Sequence, residues 1–222
     1  MREDSQIQMN KKTPNIEMQV RSMENKTTTK ERILDSALTL FAEKGYDGVG
    51  VDQIAEQAGI KGPSLYKHFK GKEDILDTLF NKVEDYYETN FGSWVHPGKI
   101  PSSMDEFIDI SLKRIQFTLH DEMIKKIRRI LAMEQFRNQR IARFATRYNL
   151  ENIQGMYQKI FRGMMDAGII RCDDPEMLSM SFAAPITLLI QMCDREPERE
   201  QEAMELMKAY LNHFAEEYGH CH

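Results

Sequence analysis

Between Val51 and Phe69 the chain reads VDQIAEQAGIKGPSLYKHF, and its glycines and proline leave room for only two short helices and a tight turn. Val51 to Ala58 places Ile54, Ala55 and Ala58 on one side of a helix. Gly59 stands where a chain leaving a helix takes up a left-handed conformation. Gly62-Pro63 then starts a second helix, because proline in the first turn forfeits no hydrogen bond and has its φ already set. Leu65 and Phe69, four apart, share the face that packs on the first helix. Gly62, Ser64, Tyr66, Lys67 and His68 are left facing outward or flanking the exposed face. Two helices joined in this way form a helix-turn-helix, with residues 63–69 as the reading helix.

That outward set suits a nucleic acid. Ser64 and His68 can address base edges, Tyr66 a phosphate oxygen, and Lys67 either a phosphate or the acceptors of guanine. From Lys61 to Lys72 there are four lysines (Lys61, Lys67, Lys70 and Lys72) and no carboxylate. A lysine-rich turn alone is an ordinary solvated surface. The turn chemistry, the spacing and the inward Leu65 and Phe69 are what single this one out. Lys72 opens the next helix, where unpaired amides and the helix dipole already favour an anion, so it reads as a phosphate clamp.

The run from Thr29 to about Leu79 resembles the DNA-binding domain of the TetR family of bacterial transcriptional regulators. The resemblance rests on Ile33, Ala37, Leu40-Phe41, Gly45-Tyr46, Ile54-Ala55, Ala58-Gly59, Leu65-Tyr66, Phe69, Lys72 and Leu76, in order and spacing. Two positions depart from the family's pattern. Gly50 stands where a small hydroxyl residue is usual, and Lys61 where serine is common. Glycine is a fair helix cap, so these departures bear on which bases are read.

The formal net charge of −5 argues against a protein that coats nucleic acid over its whole surface, and is compatible with one local DNA-binding face. Cys172, Cys193 and Cys221 form no metal-like cluster and cannot all pair internally, which fits a reduced compartment. The N-terminus MREDSQIQMN has no apolar signal core, and no apolar run of bilayer length stands out, so a cytoplasmic protein without a membrane partner is expected. Residues 1–27 are polar and read as a flexible leader. Met23 opens MENKTTTKERIL, so residues 1–22 read as an extension, with a basic DNA-gripping arm as the alternative.

Thr28 and Glu31 make a capping box for a first helix that ends at Gly45. The helix opened by Lys72 runs through Phe91 and is the natural lever between two units. Gly92 to Ser103 is a connector by its glycines and prolines, and Ser103 with Glu106 forms a second capping box. Helices are then predicted to about Leu119, from Met123 to Glu134, and from Asn138 to Ala167 with a bend allowed at Gly155. Two more follow, Asp174-Pro175 to Cys193 and Pro197 to Tyr218. No strand is predicted. The expected fold is all-α: a three-helix DNA-binding domain over 28–72, a helical ligand-binding and dimerisation domain over 73–218, and a tail at 219–222.

The helix from Pro175 is apolar nearly all round, so it must be buried on more than one side. Its neighbour pairs Met204, Met207, Leu211, Phe214 and Tyr218 with an acidic opposite face. Two such helices from each of two chains would make a four-helix homodimer interface, as the resemblance also implies. Two reading helices would then lie roughly 34–36 Å apart on a near-palindromic operator. Completion of a monomeric core is the alternative.

The resemblance further implies a ligand cavity in the middle of the chain, with an unidentified small-molecule effector tilting the lever helix. Fifteen methionines suit an adaptable interior. Phe107, Phe117, Met133, Phe136, Phe161, Met165 and Gln191 are candidate lining residues, each also readable as plain core. From Lys113 to Arg147 ten basic residues face three acidic ones, and one of them, Arg114 or Arg137, turned inward would hold an anionic effector.

An enzyme is the distant rival. A helical di-metal site needs repeated Glu-x-x-His spacing, and only Glu217 to His220 has it. No phosphate-binding glycine loop, zinc-protease helix or nucleophile elbow is present in the sequence. No cofactor and no metal site is expected. A helical interaction module would leave the lysine stripe unexplained. The expected function is a DNA-binding repressor released by a small molecule, with an activator or a ligand-independent regulator as the alternatives.

Overall fold

In the computed structural model, which describes residues 27–91 and 99–219, helix α1 (Thr29–Lys44) opens on the expected capping box. The Thr28 hydroxyl accepts the Glu31 amide at 3.2 Å and the Glu31 carboxylate accepts the Thr28 amide at 2.7 Å. The helix stops at Gly45, whose φ of 76° carries the chain into the turn before α2 (Val51–Gln57). Gly50 has no side chain to cap with, and the Gln53 Oε1 accepts its amide at 2.8 Å instead. Gly59 takes φ 68°, the left-handed exit expected of it. Helix α3 covers only Gly62–Leu65. Beyond it the amides of Lys67 and His68 bond back three residues, so the rest of the predicted 63–69 helix is a series of tight turns.

Helix α4 (Lys72–Phe91) packs on α1 through Ile75, Leu76 and Leu79, which are buried with Ile33, Phe41, Ile54 and Leu65. It then runs on into the second half of the molecule. There follow α5 (Met104–His120), α6 (Glu122–Glu134), α7 (Gln139–Thr146), α8 (Asn152–Asp166), α9 (Pro175–Arg195) and α10 (Glu200–Tyr218). A 3₁₀ turn, Pro197–Arg199, leads into α10. Among the described residues there is no strand, only an isolated bridge between Ile170 and Gly219. The fold is all-α, as expected.

Several local expectations need correcting. The second capping box is only half formed. Ser103 Oγ accepts the Glu106 amide, but Glu106 turns to the amide and hydroxyl of Ser102, at 2.6 and 2.5 Å. Those bonds, with Lys99 nearby, hold its carboxyl down at about 2. The predicted long helix over 138–167 is interrupted by a π-turn at Arg147–Glu151. Helix α9 is long and apolar enough to span a bilayer by length and composition alone, contrary to expectation. Its Ser179, Ser181 and Thr187 hide that run from a residue-by-residue reading. The leader over 1–26, residues 92–98 of the connector, and the tail residues 220–222 lie outside the described residues.

Pro185 lies inside α9 and has no N–H, so the helix cannot claim the carbonyl of Ser181. Tyr210 of α10 donates its hydroxyl to that carbonyl at 2.6 Å. The break in one helix thus becomes a contact that fixes its neighbour. Around it Phe107, Phe161, Phe182 and Phe214 form an aromatic core, with Phe107 and Phe182 ring centres 5.0 Å apart and Phe182 and Phe214 4.9 Å apart.

Candidate nucleic-acid interface and cavity

Leu65 and Phe69 are buried at 0% and 3% exposure against Ile54 and Ala58, which anchors α3 and the turns after it. Lys61, Tyr66, Lys67 and His68 stand exposed around that anchor, with Tyr66 59% exposed. Ser64 and Gly62 are half-buried. Gly62 faces Asp52 so closely that an added Cβ would lie 2.9 Å from its Oδ1. Asp74 accepts the Lys70 amide at 2.8 Å and so shapes the turn that leads into α4.

Lys72 does not project freely. Its Nζ donates to the Tyr46 carbonyl at 2.8 Å and lies 4.3 Å from the Tyr46 ring centre, so the predicted clamp is held against the first turn of the domain. Tyr46 itself packs on Phe41, and burial pushes its phenol up to about 12.

A cavity of about 380 Å³ lies in the second half, between α4, α5, α6, α8 and α9, in the size range of small-molecule sites. The π-turn delivers Tyr148 and Asn149 to its wall. Tyr87 of α4 and Arg128, Leu131 and Gln135 of and beside α6 line other sides. Burial raises the phenols of Tyr87 and Tyr148 far above their ordinary value, so both stay protonated. Arg128 is fully engaged. Asp194 grips it at 2.7 and 2.8 Å, and it also donates to the Thr118 carbonyl.

Of the predicted lining residues, Arg114 and Gln191 reach this cavity. Phe161 is in the aromatic core at 0% exposure. Phe107 belongs to that core too and touches only a second cleft of about 340 Å³. Phe117 packs on Tyr86 and Phe91. Met133 and Met165 are half-buried away from the wall, Phe136 is 90% exposed, and Arg137 faces solvent. Helical periodicity marks a residue as inward without telling core from cavity, which is why the bulky apolar positions mislead. For the same reason the sequence does not single out Tyr87 and Tyr148 as cavity lining, since inward spacing fits core equally well.

The two halves meet along α6. Lys126 donates to Thr39 of α1 at 3.1 Å, and Glu134 accepts the Tyr46 amide, also at 3.1 Å. On α4, Lys82 pairs with Asp35 of α1, Arg140 of α7 reaches Asp77 and Glu73, and Arg147 bonds Glu84. Phe80 and Phe144 stack at 3.7 Å between ring centres.

Residues 33–79 match the family model for bacterial regulatory proteins of the tetR family. The chain is 33% identical over 125 residues to IcaR of Staphylococcus epidermidis, the negative transcriptional regulator of the biofilm operon icaADBC; the match covers 43% of this chain and 68% of that protein. Against IcaR of Staphylococcus aureus strain Newman the identity is 47% over 57 residues, 26% of this chain and 31% of that protein. Among solved structures, SmeT, the repressor of the Stenotrophomonas maltophilia multidrug efflux pump SmeDEF, superposes with a TM-score of 0.67 at 18% identity, over 88% of this chain and 92% of its own. Its triclosan complex gives 0.70 at 20% identity, over 87% and 93%.

Proposed function

The chain belongs to the TetR family of bacterial transcriptional regulators, and from that premise we propose that it is a cytoplasmic homodimeric repressor which leaves its operator when a small molecule enters the cavity. Residues 28–72 form the reading unit, 73–218 the sensing and pairing unit, and α4 belongs to both. Lys61, Gly62, Ser64, Tyr66, Lys67, His68 and Lys72 make the DNA contacts, with Ser64 and His68 on base edges and the others on the backbone.

One observation carries the proposal. Helix α6 lines the cavity with Arg128 and Leu131, while its last residue, Glu134, holds the Tyr46 amide of the reading unit. A ligand that displaces α6 must act on that hydrogen bond, and through Tyr46 on Lys72. Repression accords with the relatives, since IcaR is a negative regulator and SmeT a repressor.

Pairing is supported by the faces left bare in one chain. Met177, Met180 and Leu188 of α9 are 62%, 43% and 62% exposed, and Leu206 of α10 is 48% exposed. With Ala184 also exposed, the α9 residues form one stripe at helical spacing.

Selection of bound sequences from a random DNA pool, followed by re-binding in the presence of a compound library, tests the reading. A near-palindrome that one compound releases is expected. Failure of any sequence to enrich at moderate salt would overturn it.

A further inference from the structure

Arg114 carries a charge that the fold leaves unanswered. It lies on α5 at 8% exposure, on the wall of the cavity. Its Nη2 donates to the carbonyl of Phe91, the last residue of α4, at 3.2 Å, and the guanidinium sits 5.7 Å from the Phe91 ring centre. Its Nε is buried and has no hydrogen-bond partner. Among the described residues no carboxylate is within ion-pair distance of it. Arg128 on the same wall is matched by Asp194, and Arg195, the third cation of the lining, is exposed to solvent, so the buried positive charge without a carboxylate is that of Arg114. A guanidinium held out of water without an anion is costly, and the cost is recovered when a ligand supplies one.

We infer that the effector is a monoanionic amphipath, a carboxylic acid on an aliphatic or aromatic body, with its carboxylate on Arg114. Once drawn toward the cavity, the planar fork of Nε–H and Nη–H matches the two oxygens of a carboxylate. One buried uncompensated cation calls for one buried negative charge, since Arg195 at the exposed side of the lining is already solvated, and a multiply charged phosphate at Arg114 would bury a surplus. The body has its counterpart in Ile153, Met156 and Ile186, which line the same cavity. Because Arg114 also holds the end of α4 through Phe91, a carboxylate that draws the guanidinium toward the cavity loosens that helix. The inference rests on the proposed role of the cavity as the effector site.

The test is calorimetric titration of the purified full-length chain with octanoate and hydrocinnamate, each against its primary amide. The acids should bind at least about tenfold more tightly than the amides, as a charge-assisted bond exceeds a neutral one. Arg114→Met should abolish that preference, and Arg114→Lys should keep part of it. Equal affinities for acid and amide, no binding of either acid, or an acid preference that survives in Arg114→Met would overturn the inference. If Arg114→Met does not fold, the acid and amide comparison on the unaltered chain decides alone. A parallel titration of the selected operator separates the two readings. Acids that bind without releasing DNA leave the ligand class standing and remove effector-released repression. Release by a neutral compound, with the acids unbound, does the reverse.

Discussion

Glu134 closes α6 by accepting the backbone N–H of Tyr46, a residue 88 positions earlier, at 3.1 Å and with only 4% of its own surface exposed. Its second oxygen, Oε2, is buried without a partner. Gly45, at φ 76°, lies so close that an added Cβ would collide with Glu134 Oε1. The reading unit is therefore latched to the cavity wall through one buried carboxylate.

Removing the latch should cost stability. Glu134→Ala leaves the buried Tyr46 amide unsatisfied and should lower the unfolding free energy by about 1–3 kcal/mol. Glu134→Gln keeps the acceptor and should cost clearly less. Gly45→Ala combines a conformation reserved for glycine with the collision and should cost about 1–3 kcal/mol. Urea titrations of the three variants check the order; a Glu134→Ala midpoint equal to that of the unaltered chain would contradict it.

The DNA-facing side chains should separate by role. Tyr66→Ala and Lys67→Ala are expected to weaken binding to all sequences, with Lys67→Ala lowering the salt slope by about 1. Ser64→Ala should instead alter preference at one base pair, by about 1–3 kcal/mol. Lys72→Ala should weaken all binding and also lower the urea midpoint, because it loses the Tyr46 carbonyl. Fluorescence anisotropy on operator and scrambled duplexes at several salt concentrations distinguishes these patterns.

The stripe on α9 should be the pairing face. Leu188→Arg is expected to yield a monomer by light scattering and to reduce operator affinity about a hundredfold or more, since two linked heads bind far more tightly than one. A dimer that persists in both Leu188→Arg and Met177→Glu would place the interface elsewhere.

Alkali should unfold the protein through its buried tyrosines. Burial raises the phenols of Tyr46 and Tyr210 from 10.0 to about 12 in the folded state. The folded state holds these protons more tightly, so their contribution is complete below pH 10 and is lost as the pH climbs from 10 toward 12. Phenolate absorbance and far-ultraviolet circular dichroism followed together should show a late ionisation step that coincides with loss of helix. Full phenolate formation with the helices intact would refute the burial.

Much of this molecule is legible in local chemistry. Thr28 with Glu31, the left-handed Gly59 and the inward pair Leu65 and Phe69 each depend on residues a few positions apart, so the helix-turn-helix can be read from sequence. The helix order follows from periodicity in the same way, whereas α9 reads as apolar nearly all round and only the fold shows which of its faces a single chain leaves bare. Phe107 and Phe161 had the same inward pattern as cavity residues and proved to be core, whereas Phe136 points to solvent.

Sequence by itself determined the all-α order of helices, the Thr28–Glu31 cap, the helix-turn-helix and the family, because those rest on backbone bonding and side-chain spacing within one or two turns. Only the tertiary structure decided that Arg114 and not Arg137 turns inward, that Glu134 finds Tyr46, and that Lys72 rests on the Tyr46 carbonyl. Those outcomes depend on which helices meet and how closely, and whether a buried charge finds a partner is settled by distances across the whole chain.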